Sequence, residues 1–461
     1  MIAHFLKFAT SRGVLAMLLA SSSYSLAQTS RPALTTLYTF TGGSDGSMPS
    51  AGVIFSGGVL YGTTLYGGPL GYGAVYSLSA PATPSVPWTE NTLYSFTGGA
   101  DGAYPAGGVT LSGGMLYGTT GGFGSLNTTG AVYSLAPPTS RGGRWTEANL
   151  YSFPNRADGT NPQGAPSIVD GPGGHVVLYG TTSSGGGCPA NLWGCGTLFA
   201  LTPPGTVPSP GGALPGPVWT EAVIHRFDHF NGQPAADGLY PNGTLAIRED
   251  GVMFGATYDG GNDGHGMGYG MVFSFVPPGA TGGAWTQTDI YDFGGPAVGD
   301  GVSPSGGVAL GKDGVLYGTT QYGGVSGAGT VYSLTPPASS GGVWTETVLY
   351  SFAGGRDGQS PSAGVAIGPS GILYGTTVQG GISNSSCYLG CGTVFSLAPP
   401  AFSGGAWTKT TLFQFTGGSD GYGPYGGLLV TEGGMLFGTT EFGGSCISSS
   451  AGCGTVFALQ P

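Results

Sequence analysis

The chain has 461 residues, of which 96 are Gly and 34 are Pro, and only 7% are charged. Globular chains average about 25% charged residues, so this composition argues against a helical bundle or coiled coil, while 11% aromatics argues against a disordered tail. The net charge is −11 and no basic run occurs, which speaks against nucleic acid and anionic membrane surfaces as partners.

The first 27 residues read as a secretory leader. Lys7 and Arg12 precede an apolar run from Gly13 to Ala20, and the segment closes on Ser25-Leu26-Ala27. A basic start, a short apolar core and a small-x-small end are the parts of a signal peptide. The run is well short of the ~20 residues of a membrane span, and no longer apolar stretch follows. Cleavage would remove two cations and no anions, taking the net charge from −11 to −13. A secreted chain without a membrane span is therefore expected.

An internal repeat comes next. Leu60-Tyr61-Gly62-Thr63-Thr64 recurs at 116–120, 178–182, 316–320 and 373–377, with looser copies at 253–257 and 436–440. These seven copies define units 1 to 7. Each unit offers four strand-like runs, A to D, rich in Val, Tyr, Phe, Thr and Leu and bounded by Gly and Pro. In unit 2 they are Gly108–Leu111, Met115–Thr120, Ala131–Leu135 and Trp145–Phe153. A–B turns such as Gly57-Gly58 and Asp313-Gly314 suit two-residue hairpins. After the leader the chain opens on a lone D-type run, Thr35–Phe40, and it ends on a C-type run, Gly454–Leu459. Seven full sets exist only if those two ends pair. The expected fold is all-β: a seven-bladed β-propeller of four-stranded antiparallel blades over residues 28–461, its ring closed by the N-terminal strand against the C-terminal blade.

The Leu-Tyr-Gly-Thr-Thr core, the Gly-Gly that follows it and the Gly-Thr-Val-Phe-Ser-Leu run (Gly392–Leu397) resemble the bacterial Gloeo/Verruco (GloVer) tandem repeat. The resemblance covers nearly all of residues 34–461. It implies no known catalytic activity and no known ligand.

In such a meander the D–A crossovers and B–C loops share one face, and the variable loops lie there, so that face is where binding is expected. Every D–A crossover contains Asp-Gly-x-x-Pro, at Asp45, Asp101, Asp158, Asp237, Asp300, Asp357 and Asp420. The carboxylates could form a Ca²⁺-binding ring; an Asx-type turn common to all units is the simpler reading. Six tryptophans (Trp88, Trp145, Trp219, Trp285, Trp344, Trp407) start D strands and are expected to pack between or outside blades. Six cysteines fall into three local pairs, Cys188 with Cys195, Cys387 with Cys391 and Cys446 with Cys453, and are expected to be disulfides fixing B–C loops.

Unit 4 departs most from the repeat. Its preceding D strand reads Ile224-His225-Arg226-Phe227, and His229, Asp259, Asp263 and His265 fall on the loop face. Imidazole with carboxylate suits a transition metal or acid–base work. Glu441 in unit 7 is a further acid to place against them. Trp193, between Cys188 and Cys195, is a loop-borne aromatic suited to a sugar or a protein partner. No Walker, His-Glu-x-x-His or full EF-hand pattern occurs. The expectation is a secreted monomeric protein without a required cofactor, binding a glycan or protein at the cell envelope or outside it. The alternative is a propeller-type glycosidase or polysaccharide lyase.

Overall fold

The computed structural model describes residues 32–461 apart from 84–85, 123–128, 155, 171–174, 188–194, 206–217, 228–236, 262–267, 280–282, 340, 403, 445 and 447–451. The expected leader lies outside the described residues. Among them, no helix is long and apolar enough to cross a membrane.

The protein is all-β and built of antiparallel four-strand sets. Unit 2 comprises Val109–Ser112, Met115–Thr120, Ala131–Ala136 and Thr146–Ser152, hydrogen-bonded in that order. Units 1 and 6 repeat the pattern. In unit 3 strand A is split into Thr160–Pro162 and Ser167–Asp170, both paired with Val176–Ser184. In unit 7 the fourth strand is Ala33–Thr39, which pairs antiparallel with Thr455–Gln460, Leu34 opposite Leu459 and Thr39 opposite Thr455. The expected pairing of the two chain ends is thus present.

Units 4 and 5 differ from the expectation of separate blades. Their eight strands form one sheet, joined by a single parallel bridge between Thr244 and Gly307. At this junction Gly243, Gly306 and Gly307 carry no Cβ, and one on Gly243 would strike the backbone of Gly306 and Gly307. Similar approaches, Gly164 to Gly243 and Gly306 to Gly364, occur at junctions that stay separate sheets.

Each residue of the repeated pentapeptide has a physical task. Its Leu is buried at Leu60, Leu116, Leu178, Leu316, Leu373 and Leu436. Its Gly leaves room for the aromatic ring of strand C: a Cβ on Gly62 would lie 2.5 Å from the Tyr76 hydroxyl, and one on Gly180 2.6 Å from Phe199 Cζ. In four units its first Thr reaches the next unit. Thr119 donates to Gly164 O (3.0 Å), Thr319 to Ala363 O (2.9 Å), Thr376 to Pro424 O (3.0 Å) and Thr439 to Ala51 O (2.8 Å). Its second Thr ties B to C, as in Thr320–Thr330 and Thr377–Thr393, both 2.8 Å.

The aromatic ring of strand C in turn receives the Phe that ends the preceding D strand. The pairs are Phe40–Tyr76, Phe96–Tyr133, Phe153–Phe199, Phe227–Phe273, Phe293–Tyr332, Phe352–Phe395 and Phe415–Phe457, with centroids 5.0–5.3 Å apart. Six are edge-to-face and one, Phe227–Phe273, is tilted. Burying such a side chain is worth roughly 1.5–3 kcal/mol, and the paired geometry adds about 0.5–1.5 kcal/mol. The D-strand tryptophans add a second bridge between units. Trp145 packs on Tyr61, Trp285 on Tyr179, Trp344 on Phe254 and Trp407 on Tyr317, each on strand B of the preceding unit.

The Asp-Gly-x-x-Pro segments are turns, as the simpler reading expects. Asp45 accepts from the Thr41 N–H (2.8 Å), the Thr41 hydroxyl (2.7 Å) and the Tyr38 hydroxyl (3.0 Å). Asp101 and Asp357 are held alike, with Tyr94 and Tyr350 donating. The residue before the proline is left-handed in all units: Met48, Tyr104, Asn161, Tyr240, Ser303 and Ser360 at φ 55–60°, and Gly423 at 66°. This strain, about 1–2 kcal/mol for a non-Gly residue, aims each N–H at the preceding unit. Met48 donates to Cys453 O, Tyr104 to Tyr72 O and Ser303 to Tyr269 O, all at 2.8–2.9 Å.

A second carboxylate faces several of these aspartates from strand D of the same unit. Burial raises Glu90 to about 6, Glu221 to about 7 and Glu346 to about 7, with the charges of Asp45, Asp158 and Asp300 adding to it. Glu147 opposite Asp101 is raised for the same two reasons. In unit 6 the position is Lys409, whose ammonium lies 2.8 Å from Asp357 Oδ1. A carboxyl with a raised folded-state pKa favours folding at low pH and loses that contribution as pH rises through the folded value. The seams of units 1, 2, 3 and 5 should therefore weaken between about pH 4.5 and 7, whereas the Asp357–Lys409 pair acts in the opposite sense. Thermal unfolding followed across that range should give a melting temperature that falls by several degrees toward pH 7, and a Glu221→Gln/Glu346→Gln variant should flatten the slope.

Candidate functional site

The D–A crossovers and B–C loops do share a face. Ser47 bridges to Tyr66, Ala103 to Gly121, Gln359 to Gln379 and Tyr422 to Phe442. Below this face lies a cavity of about 400 Å³ lined by segments 50–54, 106–110, 163–165, 243–244, 306–309, 362–365 and 425–428, so that every unit contributes. The lining is backbone and small side chains almost throughout. Close approach imposes this: a Cβ on Gly52 would lie 2.5 Å from Gly427 O, and one on Gly426 2.6 Å from the Ala51 carbonyl carbon. Among the described residues Tyr425 is the one aromatic in the wall, and it is 38% exposed.

Tyr425 also borders a second depression of about 150 Å³ between units 6 and 7. That groove is lined by Val378, Gln379, the 386–390 loop, Tyr422, Gly423 and Phe442. The Cys387–Cys391 disulfide (Cα–Cα 5.1 Å) closes the loop and presents Tyr388 at 81% exposure and Leu389 at 49%. Tyr422 and Phe442 stack at 5.1 Å and 24°, held by reciprocal backbone hydrogen bonds of 2.9 and 3.1 Å.

Glu441 stands next to this pair, its N–H donating to Gly423 O at 3.0 Å. Burial lifts its carboxyl to about 7. Burial also raises the phenols of Tyr422 and Tyr425, and the Glu441 charge adds to both shifts. Tyr322, 43% exposed, acts on Tyr425 too. Tyr258 donates to Gln321 Oε1 at 2.8 Å. Among the described residues the mouth of the cavity over units 4, 5 and 7 is therefore a tyrosine- and amide-rich rim with acidic side chains beside it.

The expected unit 4 group is only partly placed. His229, Asp263, His265, Trp193 and Cys188 lie outside the described residues. Asp259 ends strand Met253–Asp259 opposite Leu239, and burial raises its carboxyl. His225 proves to be a repeat position. Its Nε2 lies 3.0 Å from Asp237 Oδ2, and its ring packs edge-on against Phe227 at 4.9 Å, in the place that Tyr38 and Tyr94 hold in other units. Among the described residues no group of three or more His, Cys, Asp or Glu could hold a metal ion.

Sequence reasoning passed over Tyr425, Tyr388 and Tyr422, and it named Glu441 only as an acid to test. Two signals were available. The residue after the crossover proline is Ser50, Ala106, Gln163, Asn242, Ser305 and Ser362 in units 1 to 6, and Tyr425 in unit 7. The residue after Thr-Thr is Leu65, Gly121, Ser183, Tyr258, Gln321 and Val378 in units 1 to 6, and Glu441 in unit 7.

The chain matches the Gloeobacter/Verrucomicrobia repeat family over residues 20–210, 212–388 and 267–461. No curated protein matches it. Among solved structures, a Trypanosoma rangeli sialidase in complex with sialic acid is 10% identical, with 93% of this chain and 59% of that chain covered and a TM-score of 0.42. The GH93 α-L-arabinofuranosidase of Fusarium graminearum with arabinobiose is 16% identical, covering 76% and 90%, TM-score 0.39. A putative oxidoreductase (glucose dehydrogenase) from Thermus thermophilus is 15% identical, covering 77% and 96%, TM-score 0.39. None of these likenesses bears on activity.

Cys446–Cys453 is a second disulfide (Cα–Cα 5.2 Å), and Cys195 is also disulfide-bonded. Peptide mapping under non-reducing conditions should return Cys188–Cys195, Cys387–Cys391 and Cys446–Cys453, with no cysteine of the native protein open to alkylation.

Proposed function

We propose that this chain, which belongs to the Gloeobacter/Verrucomicrobia repeat family, is an exported seven-bladed β-propeller that binds a glycan at the mouth of its central cavity without cleaving it. Seven equivalent aromatic contacts support the closed ring, including Phe40–Tyr76, which joins the strand at the chain's start to unit 1. The leader-like residues 1–27 and the disulfides support export.

The observation that carries the glycan reading is Tyr425. An exposed aromatic ring stands at the corner shared by a cavity and a groove, with Tyr422, Phe442 and Tyr388 along the groove and the Gln379 amide beside them. Sugar rings offer an apolar face for aromatic stacking and hydroxyls for amides, and this wall supplies both partners. At about 150 Å³ the groove is smaller than a typical small-molecule pocket, which suits one unit of an extended ligand.

Binding is favoured over hydrolysis by the lining itself: among the described residues no carboxylate lines the cavity or the groove, whereas cleavage of a glycosidic bond takes a pair of them.

Calorimetric titration with a panel of soluble polysaccharides should identify at least one binder whose affinity drops about tenfold or more in Tyr425→Ala. Tyr388→Ala should weaken the same ligand, and chromatography after prolonged incubation should return the ligand uncut. A binder unaffected by both substitutions would move the site elsewhere, and shortened products would restore the hydrolase reading.

A further inference from the structure

Two glutamines face each other across the bridge between the unit 6 crossover and the end of its strand B, and one of them lines the groove. Gln359 and Gln379 exchange backbone hydrogen bonds of 2.9 and 3.1 Å, and Gln359 Nε2 donates to Gln379 Oε1 at 3.1 Å. The repeat does not require amides at this bridge: the same two positions hold Ser47 and Tyr66 in unit 1, and Tyr422 and Phe442 in unit 7. The side-chain contact turns the Gln379 oxygen toward Gln359. Among the described residues nothing accepts from the two N–H groups of Gln379 Nε2.

The rest of the groove is short of acceptors. The main-chain carbonyls of Gln379, Cys387, Leu389, Tyr422, Gly423 and Phe442 each accept a backbone N–H already. Among the described residues neither a carboxylate nor a cation lines the groove, and Val378 and Leu389 add aliphatic surface to it. These walls suit a ligand group that accepts a hydrogen bond, carries no charge and has a small apolar part. A carboxylate or phosphate would enter with no cation to meet it. A hydroxyl would accept from Gln379, but it carries its proton on the same atom, into a lining whose main-chain acceptors are in use. A trans acetamide separates the two functions. Its carbonyl and N–H point opposite ways, so with the carbonyl on Gln379 the N–H faces away from that wall, and a methyl sits beside the carbonyl.

We infer that the groove between units 6 and 7 reads an acetamido group, so that the glycan this chain takes is built of N-acetylated amino sugars. The carbonyl accepts from Gln379 Nε2, the methyl lies against Val378 and Leu389, and the sugar ring stacks on Tyr425. The inference rests on the glycan reading above and adds the substituent that the groove selects.

The test compares three hexamers of the same β-1,4 linkage, made of N-acetylglucosamine, glucosamine and glucose, by calorimetric titration of the full mature chain at physiological ionic strength, where diffuse surface attraction is screened. The acetylated hexamer should bind at least about tenfold more tightly than either of the others. Gln379→Met, which keeps the length of the side chain and removes its donors, should bring the acetylated hexamer to the affinity of the glucose hexamer. Gln287→Met, on the outer strand of unit 4, should leave the preference intact, and N-acetyl-trialanine at equal concentration should not compete. Equal binding of the acetylated and glucose hexamers by the native chain overturns the inference while leaving glycan binding in place. So does a preference that survives Gln379→Met or is lost in Gln287→Met. Competition by the acetylated peptide overturns it too, in favour of a peptide ligand. If no saccharide binds at all, both readings fall together.

Discussion

The arrangement depends on one contact repeated seven times: the Phe that ends a D strand, set against the strand C aromatic of the next unit, with a glycine of strand B beneath that ring. The three residues come from three strands and two units. The glycine matters as much as the rings, because a Cβ at Gly118 or Gly318 would enter the space of the Tyr133 or Tyr332 ring. No four-strand set buries its own aromatic face, so each is completed by a neighbour. The requirement cannot be met at a free end, and the pairing of Ala33–Thr39 with Thr455–Gln460 places Phe40 where the first unit needs it. The first threonine of the pentapeptide adds a directional bond across four of these seams. At Ala256 no such bond can form, and Asn242 Nδ2 reaches Pro304 O at 3.3 Å across that junction; Thr63 keeps the residue but has no partner.

Tight seams and a variable rim are two sides of one constraint. The A strands approach so closely that only Gly, Ala, Ser and Thr fit along most of the cavity wall. Chemistry can be placed only where the crossover leaves the wall, after the proline, and where strand B ends, after Thr-Thr. Tyr425 and Glu441 occupy those two places in one unit. The groove beside them is framed by the Cys387–Cys391 loop, whose tip holds Tyr388 in the open. A rigid frame that confines variation to a few rim positions suits recognition of a repetitive ligand.

Much of this was legible in the residues. Period, strand content, the pairing of chain ends and the turn role of Asp45 and its equivalents all follow from composition and spacing, because each is a local property repeated seven times. Three features were not legible. The left-handed residues before proline, such as Tyr104 and Ser360, run against the extended preference of that position and are imposed by hydrogen bonds to the neighbouring unit. The fusion of units 4 and 5 into one sheet rests on a single bridge, Thr244 to Gly307, which spacing does not encode. Unit 4 drew attention because it departs most from the repeat; of its histidines, His225 does a tyrosine's work against Asp237, while His229 and His265 lie outside the described residues.

The central claim is that every seam, including the one made by the chain's two ends, is the same joint in one cooperative ring. It is tested most directly by comparing Phe40→Ala with Phe153→Ala in equilibrium denaturation of the mature chain. The two side chains are 0% and 2% exposed and make equivalent contacts at 5.0 and 5.2 Å. The account predicts a single transition for each variant and similar losses, about 3–5 kcal/mol. A Phe40→Ala variant as stable as the parent, or one that unfolds in two steps while Phe153→Ala does not, would contradict it.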